Sequence, residues 1–196
     1  MIVEAAGTEP LAGFLAMSPA NPSGTMIGAS GLAGLARLAR ERGLWFVSDE
    51  IYHGLTYGPA ADTALRHDDD AVVINSFSKY YCMTGWRIGW TVVPDRLVRP
   101  IERLAQNLYI SPPYLSQVAA LAAFDATDEL EAVKADYARA RSVLLQELPR
   151  LGIADMHPAD GAFYVYADVA RFTNDATAFS RRLLAEAGVA TTPGPD

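Results

Sequence analysis

The sequence predicts an α/β fold in which buried strands alternate with amphipathic helices. Short apolar runs at residues 11–17, 44–47 and 71–74 are each followed by polar residues, which is typical of buried strands that end at a surface. Residues 30–42 repeat leucine and alanine at helical spacing, and Gly43 is suited to end that helix. A helix that joins two successive strands predicts a parallel crossover.

The second half of the chain predicts more helices and two further strands. Helices are expected from Asp95, then over residues 115–124, 130–148 and 176–188, because each carries an apolar stripe. Strands are expected over residues 90–93 and 161–169.

Composition excludes several classes of protein. The 196 residues suffice for one core, or for one domain and part of another. Hydrophobic residues make up 51% and charged residues 20%, so the chain is not mostly disordered. The formal net charge of -7 argues against a non-specific nucleic-acid binder. With one cysteine, no signal peptide and no membrane span expected, the sequence indicates a cytoplasmic protein without a metal site.

Residues 75–90 carry the most informative chemistry. Ser76, Ser78 and Lys79 follow a predicted strand directly, and Arg87 comes eight residues after the lysine. Hydroxyl groups and a guanidinium are suited to hold a phosphate, and a neutral lysine amine is a nucleophile towards carbonyls. Together they favour a phosphate-bearing aldehyde cofactor, pyridoxal 5'-phosphate (PLP). The alternative is a strand-turn-strand with ordinary surface charges.

Two other polar segments follow predicted strands. Asp49 and Tyr52 come after residues 44–47, and ligands of open α/β sheets bind outside the carboxyl ends of strands. The Asp49 carboxylate would then keep a pyridine nitrogen protonated, and Tyr52 would reach a phenolic oxygen of the same ring. The alternative is that Asp49 starts a helical turn. His53 is expected to be a satisfied polar neighbour, and Asn21 lies in a turn cluster after the first strand.

Taken together, these segments resemble class I/II aminotransferases, the fold-type I PLP enzymes that include aspartate and aromatic aminotransferases. Ser-Phe-Ser-Lys-x-Tyr-x-Met-Thr-Gly-Trp-Arg-x-Gly resembles the family's lysine segment, Asp-Glu-Ile-Tyr its Asp-x-x-Tyr motif, and Ser-Pro-x-Asn-Pro-Ser-Gly-Thr its asparagine loop. The resemblance implies that Lys79 is catalytic and forms a Schiff base with PLP. It implies cofactor-binding roles for Asn21, Asp49, Tyr52, Ser76, Ser78, Lys79 and Arg87.

The resemblance also implies an architecture and an activity. The expected fold is a three-layer α/β/α large domain, of which residues 1–145 are a part. Residues 146–196 are expected to be the start of an α+β C-terminal small domain, with a strand and loop after residue 188. The expected reaction transfers an amino group between an amino acid and a 2-oxo acid in a homodimer. A PLP-dependent C–S lyase of the same fold and a catalytically incomplete PLP-binding or regulatory module stay open as alternatives. Only the middle and later part of the family's pattern is matched, so we expect a chain truncated at both ends.

Overall fold

The computed structural model describes residues 11–194, and its sheet lies in the first half of that range. Strands β1 (Gly13–Met17), β2 (Trp45–Asp49) and β3 (Val72–Ser76) run parallel to one another. Strand β4 (Gly89–Val92) pairs with β3 in the antiparallel direction. The order across the four-stranded sheet is β1-β2-β3-β4, so each strand pairs with the next along the chain. The predicted α/β fold is confirmed.

Helix α1 (Ala29–Arg42) makes the predicted crossover between β1 and β2. It ends at Gly43, which adopts the left-handed conformation (φ 63°) that glycine tolerates without strain. Its buried residues are Leu32, Ala36 and Ala39, spaced so that they share one face. That face packs against the sheet and forms the main core.

The core lies between α1 and one face of the sheet. Phe46 is buried there with Val73, and Phe14 stacks on Phe46 with ring centroids 4.9 Å apart. Phe14 pairs with Phe46, and Val73 pairs with the residue two positions after Phe46, so the three side chains share one face of the sheet. The core therefore holds the carboxyl ends of β1, β2 and β3 in a fixed register.

The remaining helices follow the predicted order. They are α2 (Asp95–Leu108), α3 (Tyr114–Ala123), α4 (Thr127–Arg150) and α5 (Ala176–Ala187), with 3₁₀ helices at Ala64–Arg66 and Thr84–Trp86. The predicted domain boundary after residue 145 falls inside α4, which is continuous there. The boundary therefore stays a prediction. None of the helices between residues 11 and 194 has both the length and the apolar composition to cross a membrane.

The strand predicted over residues 161–169 is wrong, and the chain after residue 188 is not a strand where the structure describes it. Only isolated bridges form here, between Thr56 and Gly161 and between Met156 and Ala167. Ala162 has a φ of 58°, which interrupts an extended conformation. Its backbone N–H donates to the Leu55 carbonyl at 2.9 Å, so this segment docks against the loop after β2.

Candidate active site

The register of the sheet brings the predicted segments to one edge. Met17 pairs with Asp49, and Asp49 pairs with Ile74. Ser76 pairs with Gly89, where β4 begins. The segments that follow β1, β2 and β3 therefore start side by side, at the carboxyl ends where open α/β sheets bind ligands.

Lys79 lies between two aromatic rings at this edge. Its Nζ is 5.2 Å from the centroid of the Tyr52 ring and 5.5 Å from that of Phe163. Both distances fall within the range of cation–π contacts, so the rings hold the ammonium in place. The structure thus brings Lys79 together with Tyr52, as the sequence predicted.

Asp49 and Tyr52 lie on one tight turn after β2. The Ile51 backbone N–H donates to Asp49 Oδ1 at 3.2 Å, which fixes the carboxylate at the start of the turn. Tyr52 is fully buried, and its hydroxyl lies 2.5 Å from that of Tyr164. Burial, the bond to Tyr164 and the nearby Asp49 charge raise the pKa of Tyr52, so its phenol stays protonated and can donate a hydrogen bond.

Ser76 ends β3, and Ser78 and Arg87 lie in the closed loop that joins β3 to β4. The Ser78 backbone N–H donates to Ser76 Oγ at 3.0 Å, and Thr84 Oγ1 donates to the Ser78 carbonyl at 2.7 Å. Arg87 is exposed in the left-handed region (φ 52°) and donates from Nη1 to the Thr84 carbonyl at 3.0 Å. No carboxylate of residues 11–194 forms an ion pair with it. Its charge is therefore available to an anion.

Asn21 is exposed on the loop after β1. Its backbone N–H donates to Met17 Sδ at 3.2 Å, and the loop is closed by a bond from the Ala20 N–H to the Thr25 carbonyl at 2.9 Å. No hydrogen bond of the described region joins its side chain to another predicted site residue. The Asn21 amide is thus near the correct edge of the sheet but is not tied to the lysine.

Sequence reasoning missed two aromatic residues of this site. Phe163 and Tyr164 belong to the segment that was expected to be a strand, and they instead contact Lys79 and Tyr52. Tyr52 meets both rings edge-on, at centroid distances of 5.5 Å and 5.7 Å. The aromatic cluster of residues 163–166 was visible in the sequence, but nothing local indicated which turn it would pack against.

The side chains at this edge fit PLP by their chemistry. A primary amine suits its aldehyde, a carboxylate its pyridine nitrogen, and a protonated phenol its phenolic oxygen. Two hydroxyls and the Arg87 guanidinium, which no carboxylate of residues 11–194 pairs with, suit its phosphate.

Comparison with known proteins decides the family. The model of the family "Aminotransferase class I and II" matches residues 3–195. The chain belongs to this family. Valine–pyruvate aminotransferase of Mycobacterium tuberculosis is 50% identical over 191 residues, which is 95% of this chain and 49% of that protein. A (5-formylfuran-3-yl)methyl phosphate transaminase of Methanocaldococcus jannaschii is 37% identical over 182 residues, 90% of this chain and 47% of that one.

Solved aminotransferases share the fold. The crystal structure of an aminotransferase from Mycobacterium tuberculosis superposes with a TM-score of 0.93 at 50% identity, over 97% of this chain and 50% of that one. This aminotransferase-family chain thus has the fold-type I architecture that its sequence predicted. It spans about half the length of the curated relatives it matches.

Proposed function

We propose that the protein is a PLP-dependent aminotransferase that transfers an amino group between an amino acid and a 2-oxo acid, with Lys79 as the catalytic residue. The observation that carries this proposal is the meeting of Lys79 and Tyr52 at the edge where Asp49 ends β2. Family membership and the aminotransferase names of the relatives support the reaction class.

Each residue has a separate task in this proposal. When bound, PLP supplies an aldehyde that condenses with amines and a ring that withdraws electrons from the substrate carbon. Lys79 would hold the aldehyde through its Nζ, and the same atom would carry a proton to and from the substrate carbon. The Asp49 carboxylate would hold a proton at the pyridine nitrogen, and the Tyr52 phenol and Asn21 amide would orient the phenolic oxygen.

The phosphate would be held by the last residue of β3 and the loop that follows it. Ser76 and Ser78 offer hydroxyls, and Arg87 offers a guanidinium without a carboxylate partner in the described region. A charge-assisted contact of this kind is about twice as strong as a neutral one. Anchoring the phosphate fixes the position of the aldehyde carbon relative to Lys79.

The oligomeric state and the location of the protein are also part of the proposal. We infer a homodimer, because α2, α3 and the segment between them expose large apolar side chains, among them Leu108 (76%), Ile110 (80%) and Tyr114 (81%). A cytoplasmic location fits the single free cysteine, Cys82. Sedimentation at several concentrations tests the dimer, and a concentration-independent monomer would contradict it.

An amino-transfer assay tests the reaction. The protein is mixed with PLP, pyruvate and a panel of amino acids that starts with L-valine, and alanine is measured. We expect alanine that depends on the amino donor and is absent for Lys79→Ala. Release of a 2-oxo acid from a sulfur amino acid without any acceptor would indicate the lyase instead. PLP binding without turnover of any donor would favour the non-catalytic module.

A further inference from the structure

Glu50 is a buried carboxylate directly after Asp49. It is only 3% exposed, although acidic side chains are seldom buried without several partners. Side chains alternate along β2, so Glu50 follows Phe46 and Ser48 to the side of α1, while Asp49 faces the other way. The two neighbouring carboxylates therefore have separate surroundings.

One oxygen of Glu50 collects three donors. Ser48 Oγ lies 3.0 Å from Oε1, Thr63 Oγ1 3.1 Å and the Ala64 backbone nitrogen 2.9 Å. Hydrogen bonds to a charged acceptor are stronger than neutral ones, and removal of the acceptor would leave buried donors unsatisfied. Glu50 thus attaches the end of β2 to the first residues of the 3₁₀ helix Ala64–Arg66.

The other oxygen of Glu50 faces His53. The distance from Oε2 to His53 Nδ1 is 3.4 Å. His53 Nε2 is buried and has no hydrogen-bond partner among the described residues, so the expected satisfied histidine has a polar partner at only one of its two ring nitrogens. Burial lowers the pKa of His53 against the opposing influence of Glu50, Ser18 and Asp62, which keeps the imidazole neutral at neutral pH.

These contacts enclose the turn that carries Asp49 and Tyr52. Ser48 precedes the turn and His53 follows it, and Glu50 contacts both. Within the turn, the His53 N–H donates to the Glu50 carbonyl at 2.9 Å, and the Glu50 N–H donates to the Ile74 carbonyl at 2.9 Å. The direction in which Asp49 and Tyr52 point therefore depends on where the Glu50 side chain is held.

We propose that Glu50 is a positioning residue of the cofactor site, which orients Asp49 and Tyr52 through its bonds to Ser48, Thr63, Ala64 and His53. The proposal rests on the proposed function, because the purpose of that orientation is contact with the PLP ring. Residues that contact a ligand bind it well only when their neighbours hold them rigidly in the right orientation. A small displacement of Asp49 or Tyr52 should therefore weaken PLP binding.

Three variants and a control test the positioning role through PLP binding. Glu50→Ala removes the acceptor, and we expect the dissociation constant of PLP to rise about tenfold or more. Glu50→Gln keeps an oxygen for the three donors and an amide that can donate to neutral His53, so it should stay within about twofold of wild type. Ser48→Ala removes one donor and should weaken binding about threefold. The control is Asp68→Asn, a buried carboxylate paired with Arg40 at 3.5 Å, which should leave PLP binding unchanged.

The visible absorption of bound PLP provides a second readout. Its pH dependence reports the charges around the ring, and a role confined to stability would not move it. We expect a shifted pH profile for Glu50→Ala and a wild-type profile for Glu50→Gln and Asp68→Asn. The proposal would be overturned if a folded Glu50→Ala protein kept the wild-type PLP affinity and pH profile. It would also be overturned if Glu50→Gln bound PLP as weakly as Glu50→Ala, or if Asp68→Asn lost as much affinity as Glu50→Ala.

Two further outcomes separate this proposal from the proposed function. If Glu50→Ala does not fold, Ser48→Ala decides, and unchanged PLP binding in that variant refutes the positioning role. If the wild-type protein binds no PLP, the proposed function fails. The NMR chemical shifts of Asp49 and Tyr52 in the protein without PLP then test the positioning role. Chemical-shift changes that are smaller in Glu50→Gln than in Ser48→Ala support it. Unchanged chemical shifts in Ser48→Ala overturn it.

Discussion

Gly161→Ala tests whether the segment around residue 161 docks on the site as the structure shows. A Cβ added at Gly161 would lie 2.5 Å from Pro19 Cγ and 2.8 Å from the Leu55 carbonyl oxygen. Neither a proline ring nor a backbone carbonyl can rotate away. The φ of Gly161 is not in the left-handed region, so the expected cost comes from this overlap and not from backbone conformation.

The magnitude follows from two opposing effects. Overpacking of a tight contact costs about 1–3 kcal/mol. Replacement of glycine by alanine also restricts the unfolded chain and returns about 0.4–1 kcal/mol. We therefore expect Gly161→Ala to lower the free energy of unfolding by about 1–2 kcal/mol, which for a chain of this length corresponds to a Tm lower by about 2–8 °C.

A second glycine provides the control. Gly34 lies inside α1, and a Cβ there would meet no atom within 4 Å. Gly34→Ala should stabilise the protein by about 0.5–1 kcal/mol, because alanine favours helix. Urea unfolding of both variants and wild type measures the two changes, with equal m values as the check that the comparison is valid. A Gly161→Ala protein as stable as wild type would refute the docking.

The remaining predictions concern the core and titrating groups. Leu32→Ala should cost about 2–5 kcal/mol of unfolding free energy, because Leu32 is 1% exposed in the main core; a loss below 1 kcal/mol in urea unfolding would contradict that packing. Burial and the 2.6 Å hydrogen bond to Glu131 raise the pKa of Tyr80 from 10.0 to about 12. The protonated phenol therefore stabilises the fold below pH 10, and this contribution is lost as the pH rises towards 12. Ultraviolet titration should show that one phenol fewer ionises near pH 12 in Tyr80→Phe than in the wild-type protein. The pKa of His53 is lower in the folded protein than in the unfolded chain, so the unfolded chain takes up the proton first as the pH falls. The free energy of unfolding should therefore decrease below pH 6.5, and unfolding curves should show a smaller decrease in His53→Gln.

Local patterns predicted the sheet and most helices. All but the first residue of the apolar run at 71–74 lie in β3, and residues 30–42 form all but the first residue of α1, which Gly43 ends as expected. These elements are decided by side-chain periodicity and by one glycine, both of which are visible in sequence. Because parallel strands end at a common edge, the meeting of Asp49, Tyr52 and Lys79 was also predictable in outline.

Contacts between distant segments were not predictable in the same way. Residues 161–169 have the composition of a strand, but Ala162 turns the chain and directs Phe163 and Tyr164 towards the site. The position of Glu50 depends on Thr63 and Ala64, which follow through a loop without periodic pattern. Neither arrangement leaves a local signal, because both are set by packing across the fold.

Reductive trapping of PLP tests the central claim most directly. The chain has two lysines, Lys79 at the candidate site and Lys134 on α4, where it pairs with Glu131 at 3.6 Å. The protein is mixed with PLP, treated with borohydride to fix the cofactor to the amine that holds it, and mapped by peptide mass spectrometry. Our account predicts that PLP is found on Lys79, that Lys79→Ala abolishes the label and that Lys134→Ala retains it. Equal labelling of both lysines, or a label that survives in Lys79→Ala, would contradict the account.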